Sequence, residues 1–377
     1  MNLARSNQQP PDRVAESNPQ SPARPERQPE NYRDKKENEA LTGQGREHGA
    51  GREPMTISVC IPTCRRPGLL REAIQSCLDQ TRPPDEILVG DDAPGQGALE
   101  VVDEMRARLP GKIRYFENSP PLGQAGNVSR LYQQATSSHL LLLHDDDLLL
   151  PEALQELSSC WIRFPGLSAA FGLHAVMRSS GVIDWEASVR LNASGLRTSD
   201  RAGIQEPSWL PGLVQQFPGA GILIRTSAAR DVVRNADPTD AVDYVFGVKF
   251  CTRFDGIYFL DRYVMVYRIT PVSVSASWTN NAALSSYQFL ERVPLPAEAE
   301  ALRRQKLEEF APLAIGQAVR VGKRREAMRI FWGPYHPLRS RLRPSSLARI
   351  AQLALPHQAL KPLREWRRAQ MDGPRGD

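Results

Sequence analysis

The sequence predicts an α/β fold, a mostly parallel sheet flanked by helices, followed by a basic helical C-terminal extension. Two observations carry this prediction. Short apolar runs of strand length alternate with stretches whose apolar residues recur at helical spacing. That alternation implies right-handed βαβ units. Two of the apolar runs are followed, one residue on, by acids, at Asp91-Asp92 and at Asp145-Asp146-Asp147. Acids so placed fall at the carboxyl edge of an α/β sheet, where ligands bind.

The elements follow in order. Residues 1–54 are rich in Gln, Pro, Glu, Asn, Arg and Gly and nearly free of aliphatic and aromatic residues. Such a segment buries too little apolar area to offset its ordering entropy and is expected to be disordered. The globular part is expected over 55–294. ISVCIP (57–62) is a β-branched first strand closed by proline. LLREAIQSCLDQ (69–80) carries apolar residues at 69, 70, 73, 74, 77 and 78, a helical stripe. EILVGDD (86–92) is a second strand, ALEVVDEMRARL (98–109) a helix, KIRYFEN (112–118) a third strand and GQAGNVSRLYQQAT (123–136) a helix. The leucine run of HLLLLHDDD has the apolarity of a buried parallel strand. PEALQELSSCWIRF (151–164) then reads as a helix, SAAFGLHAVM (168–177) as a strand and GVIDWEASVRL as a strand edge or hairpin. AGILIRTSAARDVV (220–233) reads as a strand running into a helix. A helix through DAVDYVFGVKFCTRF and a strand in IYFLDRYVMVYRI complete the domain, and 295–377 read as helical and basic.

Bulk composition narrows the class. With 41% hydrophobic and 24% charged residues over 377, the chain has the profile of a soluble globular protein with length for a sizeable core. No stretch reaches the roughly 20 apolar residues of a membrane span, and the first 20 residues hold no apolar signal core. A cytoplasmic protein is expected. Five cysteines at irregular spacing make neither a zinc set nor a disulfide framework, and free thiols are expected. The net charge of +5 conceals a segregation: residues 303–377 carry 17 Lys/Arg against 6 Asp/Glu, and residues 55–302 carry 22 against 28. A basic tail on an acidic body points to an anionic surface as partner.

Several residues carry chemistry. Three adjacent carboxylates repel by several kcal/mol at low dielectric unless a cation neutralises them. A hard divalent ion shared with substrate phosphates is one solution; a solvated acidic loop is the other reading of that run alone. Pro62-Thr63-Cys64-Arg65-Arg66-Pro67 closes the first strand with a hydroxyl and cations, suited to a base and its phosphates. Asp91 and Asp92 suit either a base imide N–H and ribose hydroxyls, or a turn and helix N-cap. The stretch from Gly123 to Asn127 offers close backbone approach and an amide at a helix start.

Taken in order, ISVCIPTCRRPGLLREAIQSCLDQT, EILVGDDAP, NSPPLGQAGN, LLLLHDDDLLLP, VDYVFGVKF and YFLDRYVMVYRITPVSVS resemble glycosyltransferase family 2, of GT-A fold, over residues 55–278. The resemblance implies inverting transfer of a sugar from a nucleotide-diphosphate sugar, a UDP-sugar by preference, to a hydroxyl acceptor in glycan or polysaccharide assembly. It also implies a divalent cation, Mg or Mn, that stabilises the departing diphosphate. Carried over residue by residue, it assigns nucleotide-sugar binding to Pro62, Thr63, Arg66, Asp91, Asp92, Gly123, Asn127, Asp145 and Asp146. It assigns the metal to Asp147 and Asp145, and the acceptor wall to Gly219 and Gly221. The general base falls on Asp243, with Asp240 about one helical turn earlier as the alternate. In an extended segment alternate residues project together, so Asp145 and Asp147 are expected to face one site. Asp146 is then expected to turn away and brace the helix entered at Pro151.

The chain departs from the family at four places: Cys64-Arg65 stands for an aromatic and Asn, Gly126 for Arg, Val242 for Glu, and Thr270 for the His of Tyr-Arg-x-His. Arg268 keeps the Arg of that last motif. A metal site with fewer protein ligands than usual is expected. The rival class is a non-catalytic GT-A-like module that binds nucleotide or glycan and is recruited through its tail. A sugar nucleotidylyltransferase would need a Gly-rich basic loop after the first strand, and Cys64-Arg65-Arg66-Pro67 is not one.

In the tail, ARIAQLALPHQALKPLREW interleaves apolar residues with cations, and Trp332 and Trp366 lie near arginines. Basic amphipathic helices either lie on an anionic membrane, here its inner face, or pack on their own domain with a solvated cationic side. The first suits a lipid-linked saccharide as acceptor. No nucleic-acid partner is expected, because no binding module accompanies the charge.

Overall fold

The computed structural model describes residues 54–108, 110–234, 242–269, 282–344 and 346–347. Asp240, Thr270, Trp366 and the segments 1–53 and 348–377 lie outside the described residues.

The chain alternates as the periodicity requires. β1 (Ile57–Thr63) leads to α1 (Pro67–Leu78), whose start at Pro67 uses the φ that proline pre-sets for a first turn. β2 (Glu86–Asp91), α2 (Ala98–Arg106), β3 (Ile113–Glu117), α3 (Gly123–Gln134) and β4 (His139–Leu142) follow. Next come β5 (Leu148–Leu149), α4 (Ala153–Arg163), β6 (Ala169–Met177) and β7 (Ile183–Asp184). The strand edge or hairpin expected in GVIDWEASVRL is present in β7, antiparallel to β6, but it is short, and from Trp185 the chain is a helix, α5 (Trp185–Ser194). The cause is local: the Asp184 carboxylate caps the helix by accepting from the Ala187 N–H at 2.8 Å. Then follow β8 (Gly203–Ile204), α6 (Leu210–Leu213), β9 (Ile222–Arg225), α7 (Thr226–Val233), α8 (Val242–Arg253) and β10 (Ile257–Arg268). The helices α9 (Ala282–Leu290), α10 (Glu300–Arg320), α11 (Arg324–Trp332) and α12 (Leu338–Arg341) end the described chain.

The sheet runs β3-β2-β1-β4-β9-β6-β10-β5, with β7 on β6 and β8 on β10. The β3-β2-β1-β4 block is parallel throughout, as is the β6–β10 pair. β9 is antiparallel between the two. Register sets Thr63 beside Asp91 and Cys60 beside Leu142, so β1, β2 and β4 deliver their C-terminal residues to one edge.

The period-2 alternation of the strands sorts their side chains into two cores. Ile57, Val59, Ile61, Ile87, Val89 and Leu141 pack with α1, α2 and α4 on one face. Cys60, Leu88, Leu140 and Leu142 pack with α3, α7 and the Phe250-Cys251 side of α8 on the other. A third core lies off the sheet. Tyr244, Val245 and Val248 of α8 meet Leu284, Tyr287 and Leu290 of α9, Leu307, Ala311 and Ile315 of α10, and Ile330 and Phe331 of α11. The described part of the basic extension is therefore packed on α8. All five cysteines are free, and only Cys64 is exposed. Among the described residues no helix is long and apolar enough to cross a membrane.

Candidate active site

The turn after β4 organises the site. Its N–H at Asp147 donates to the His144 carbonyl at 3.1 Å, so residues 144–147 turn rather than extend. The alternation expected of an extended segment therefore fails. Asp145, fully buried, accepts from Thr63 Oγ1 at 2.8 Å and pairs with Arg66 Nη2 at 2.6 Å. Asp146 does not turn away to brace the next helix: its Oδ2 accepts from Arg66 Nη1 at 2.7 Å, and α4 has Glu152 at its N-cap with no side-chain cap bond. Arg66 thus clasps two of the three acids.

The third acid is held from β10. The Arg268 N–H donates to Asp147 Oδ1 at 3.0 Å, and the Arg268 Nε–H to the Asp146 carbonyl at 3.0 Å. Its guanidinium also reaches Glu72. Burial pushes the Asp147 carboxyl up to about 7, with the charges of Asp146 and Asp145 adding to it. His144, a residue the motif reading passed over, completes the turn. Its Nδ1 lies 3.8 Å from Asp147 Oδ2, and its buried Nε2 has no hydrogen-bond partner. Burial opposes a charge on this imidazole. The carboxylates of Asp243, Asp147, Asp146 and Asp145, in that order, outweigh burial and raise its pKa.

One donor atom each from His144, Asp146 and Asp147 lies within 4.8 Å of the others. Two carboxylates and an imidazole suit a divalent cation. The residues present therefore fit a metal, in a set that takes Asp146 and His144 beside Asp147 and leaves Asp145 with Thr63 and Arg66.

The expected base and the expected acceptor wall meet. Asp243 sits in the first turn of α8, exposed. A Cβ on Gly219 would lie 2.4 Å from Asp243 Cγ and 2.5 Å from its Oδ2, so only glycine leaves the carboxylate room. Gly221 has φ +70°, the left-handed region, and a Cβ there would lie 2.5 Å from Met265 Sδ. Beside Asp243, a cavity of about 40 Å³ is lined by Ala125, Val128, Gly219, Phe246 and Lys249.

On the β2 side the assigned residues brace the edge. Asp91 accepts from the Ala93 N–H at 2.8 Å and from the Tyr115 hydroxyl at 2.7 Å. Asp92 Oδ1 accepts from Asn118 Nδ2 at 2.7 Å and from the Leu122 N–H at 3.1 Å, directly before Gly123 opens α3. Asn127, buried, donates from Nδ2 to the Gly90 carbonyl at 2.8 Å and locks α3 to β2. Pro62 is buried opposite Gly90.

Four likenesses relate this arrangement to known proteins. Residues 58–166 match the profile described as Glycosyl transferase family 2. An uncharacterised protein of Mycobacterium tuberculosis is 33% identical over 132 residues, 34% of this chain and 39% of that one. The GalNAc(5)-diNAcBac-PP-undecaprenol beta-1,3-glucosyltransferase of Campylobacter jejuni is 35% identical over 102 residues, 27% of this chain and 33% of that one. The matched part thus spans well under half the length of those relatives. The crystal structure of S. aureus TarS in complex with UDP superposes with a TM-score of 0.53 at 17% identity, over 82% of this chain and 92% of that one, a likeness of fold. The motif order, the sheet and the profile agree: residues 58–166 are similar to glycosyl transferase family 2, within a fold like that of TarS.

Proposed function

We propose that the protein is an inverting glycosyltransferase that moves a sugar from a nucleotide-diphosphate sugar, by preference a UDP-sugar, to a hydroxyl acceptor. The observation that carries this reading is the meeting of Asp243 with Gly219, beside the acidic turn that feels its charge through His144. Thr63, Asp91 and Asp145 form the nucleotide edge, and Arg66 supplies a guanidinium for phosphate oxygens. Asp243 takes the proton of the acceptor hydroxyl in the space that Gly219 leaves open. The acceptor oxygen bonds to the anomeric carbon from the side opposite the diphosphate, and the sugar–phosphate C–O bond breaks with its electron pair. Asp147, Asp146 and His144 would hold a divalent cation, which would supply positive charge near the departing diphosphate. Asp243→Asn is expected to lower transfer at least about 100-fold while nucleotide affinity in calorimetry stays near wild type. Unchanged turnover removes Asp243 from the role.

The acceptor is assigned by chemistry to a saccharide, free or lipid-linked, in glycan or polysaccharide assembly. Support comes from the surface of the extension. Trp332, Leu338 and Leu342 are exposed, Arg339 and Arg343 beside them are exposed, and Arg341 lies 5.5 Å from the Trp332 ring centroid. Exposed Trp and Leu among arginines fit the interface of an anionic membrane. The Campylobacter relative, named for an undecaprenol-linked saccharide, agrees with that setting.

A further inference from the structure

Of the side chains in the turn after β4, only His144 brings a nitrogen donor. Its Nδ1 lies 3.8 Å from Asp147 Oδ2, beyond hydrogen-bond reach, and its Nε2 is buried without a hydrogen-bond partner, although most buried polar groups are satisfied. Arg66 pairs with both Asp145 and Asp146, but Asp145 also accepts from Thr63 and its donor atoms lie outside the group that His144, Asp146 and Asp147 form. The donor atoms of His144, Asp146 and Asp147 lie within 4.8 Å of one another. Ligands about 2.1 Å from one ion lie at most about 4.2 Å apart, so a small adjustment of these side chains suffices for a shared centre.

We propose that His144 is a direct metal ligand, making the cation site a mixed nitrogen and oxygen set. The proposal rests on the metal-assisted reading above and deepens it by fixing the ligand set and its preference. Mg2+ favours oxygen donors and near-ideal octahedral geometry, whereas an imidazole favours later divalent ions. A site with His144 therefore prefers Mn2+ or Co2+ to Mg2+, and the all-carboxylate site expected of Asp145 and Asp147 has no such bias.

The test is pulsed electron paramagnetic resonance on the full chain loaded with Mn2+ alone. Nitrogen modulation of the bound ion is expected in wild type, is retained in His174→Gln and is lost in His144→Phe and His144→Gln. His174 is the control because it is the neighbouring buried imidazole, with an unpartnered Nε2 of its own. Mn2+ affinity is expected to fall on the order of tenfold in the His144 variants, with a smaller change for Mg2+ measured by competition. The control variant and the wild-type spectrum keep the test decisive even where a His144 variant fails to fold. Bound Mn2+ without nitrogen modulation in wild type, or modulation lost with His174 instead, overturns the ligand role and leaves the metal-assisted reading standing. Absence of any bound Mn2+ removes both.

Discussion

Gly219 shows how one missing methyl shapes a site. The Asp243 carboxylate fills the place a Cβ would take, with contacts of 2.4–2.9 Å. Asp243 is exposed, so an alanine at 219 can displace it toward solvent rather than break the core. Gly219→Ala is therefore expected to cost less than about 1 kcal/mol in denaturant unfolding, yet to lower kcat at least about tenfold with donor KM nearly unchanged. Equal turnover would show that the carboxylate does its work elsewhere. Arg66 and Arg268 make the complementary point. Each was visible as a cation near a motif, but pattern could not say that one clasps Asp145 and Asp146 while the other fixes Asp147 through its backbone N–H.

At the scale of elements, α8 decides where the expected base stands. One side of this helix enters the sheet core through Phe250 and Cys251, and the other enters the C-terminal core through Tyr244, Val245 and Val248. The extension therefore reaches the site mechanically, by holding the helix that carries Asp243. Leu307 of α10 is fully buried in that core. Leu307→Ala is expected to cost about 2–4 kcal/mol of stability, whereas Leu313→Ala on the exposed side of the same helix is expected to change it by less than about 0.5 kcal/mol. Guanidinium unfolding of both variants checks the contrast, and equal effects would contradict the packing of α10 on α8. The turn after β4 teaches a related lesson. A run of three acids drew attention to this turn, and the geometry of 144–147 gathers His144, Asp146 and Asp147 where alternation led to the expectation of Asp145 with Asp147. The signal was present as the residue directly before the acids, and its meaning depended on a turn that composition does not encode.

For the whole molecule, charge segregation and surface shape converge on the exposed end of the extension. Deleting residues beyond 300 would remove the third core along with the cations, so surface substitution is the cleaner probe. Wild type is expected to float with anionic vesicles at low salt and to release as salt rises. The combined Trp332→Ala, Leu338→Ala and Leu342→Ala variant is expected to lose most of that partitioning while keeping its unfolding midpoint, because all three side chains are exposed. Partitioning equal to wild type would sink the membrane proposal.

The sequence by itself determined the strand–helix alternation, the parallel block β3-β2-β1-β4 and the edge at which Thr63, Asp91 and the three aspartates gather. Periodicity and strand ends are local properties, written in neighbouring residues. Tertiary structure decided the packing of the extension on α8, the contact of Asp243 with Gly219, and the way Thr63, Arg66, Arg268 and His144 surround the three acids. Those depend on which distant segments share a core and which donors meet a buried carboxylate. The side chain that leaves the ladder on a turn is chosen by its partners, and partners at a separation of 80 residues, as for Arg66 and Asp146, do not show in local pattern.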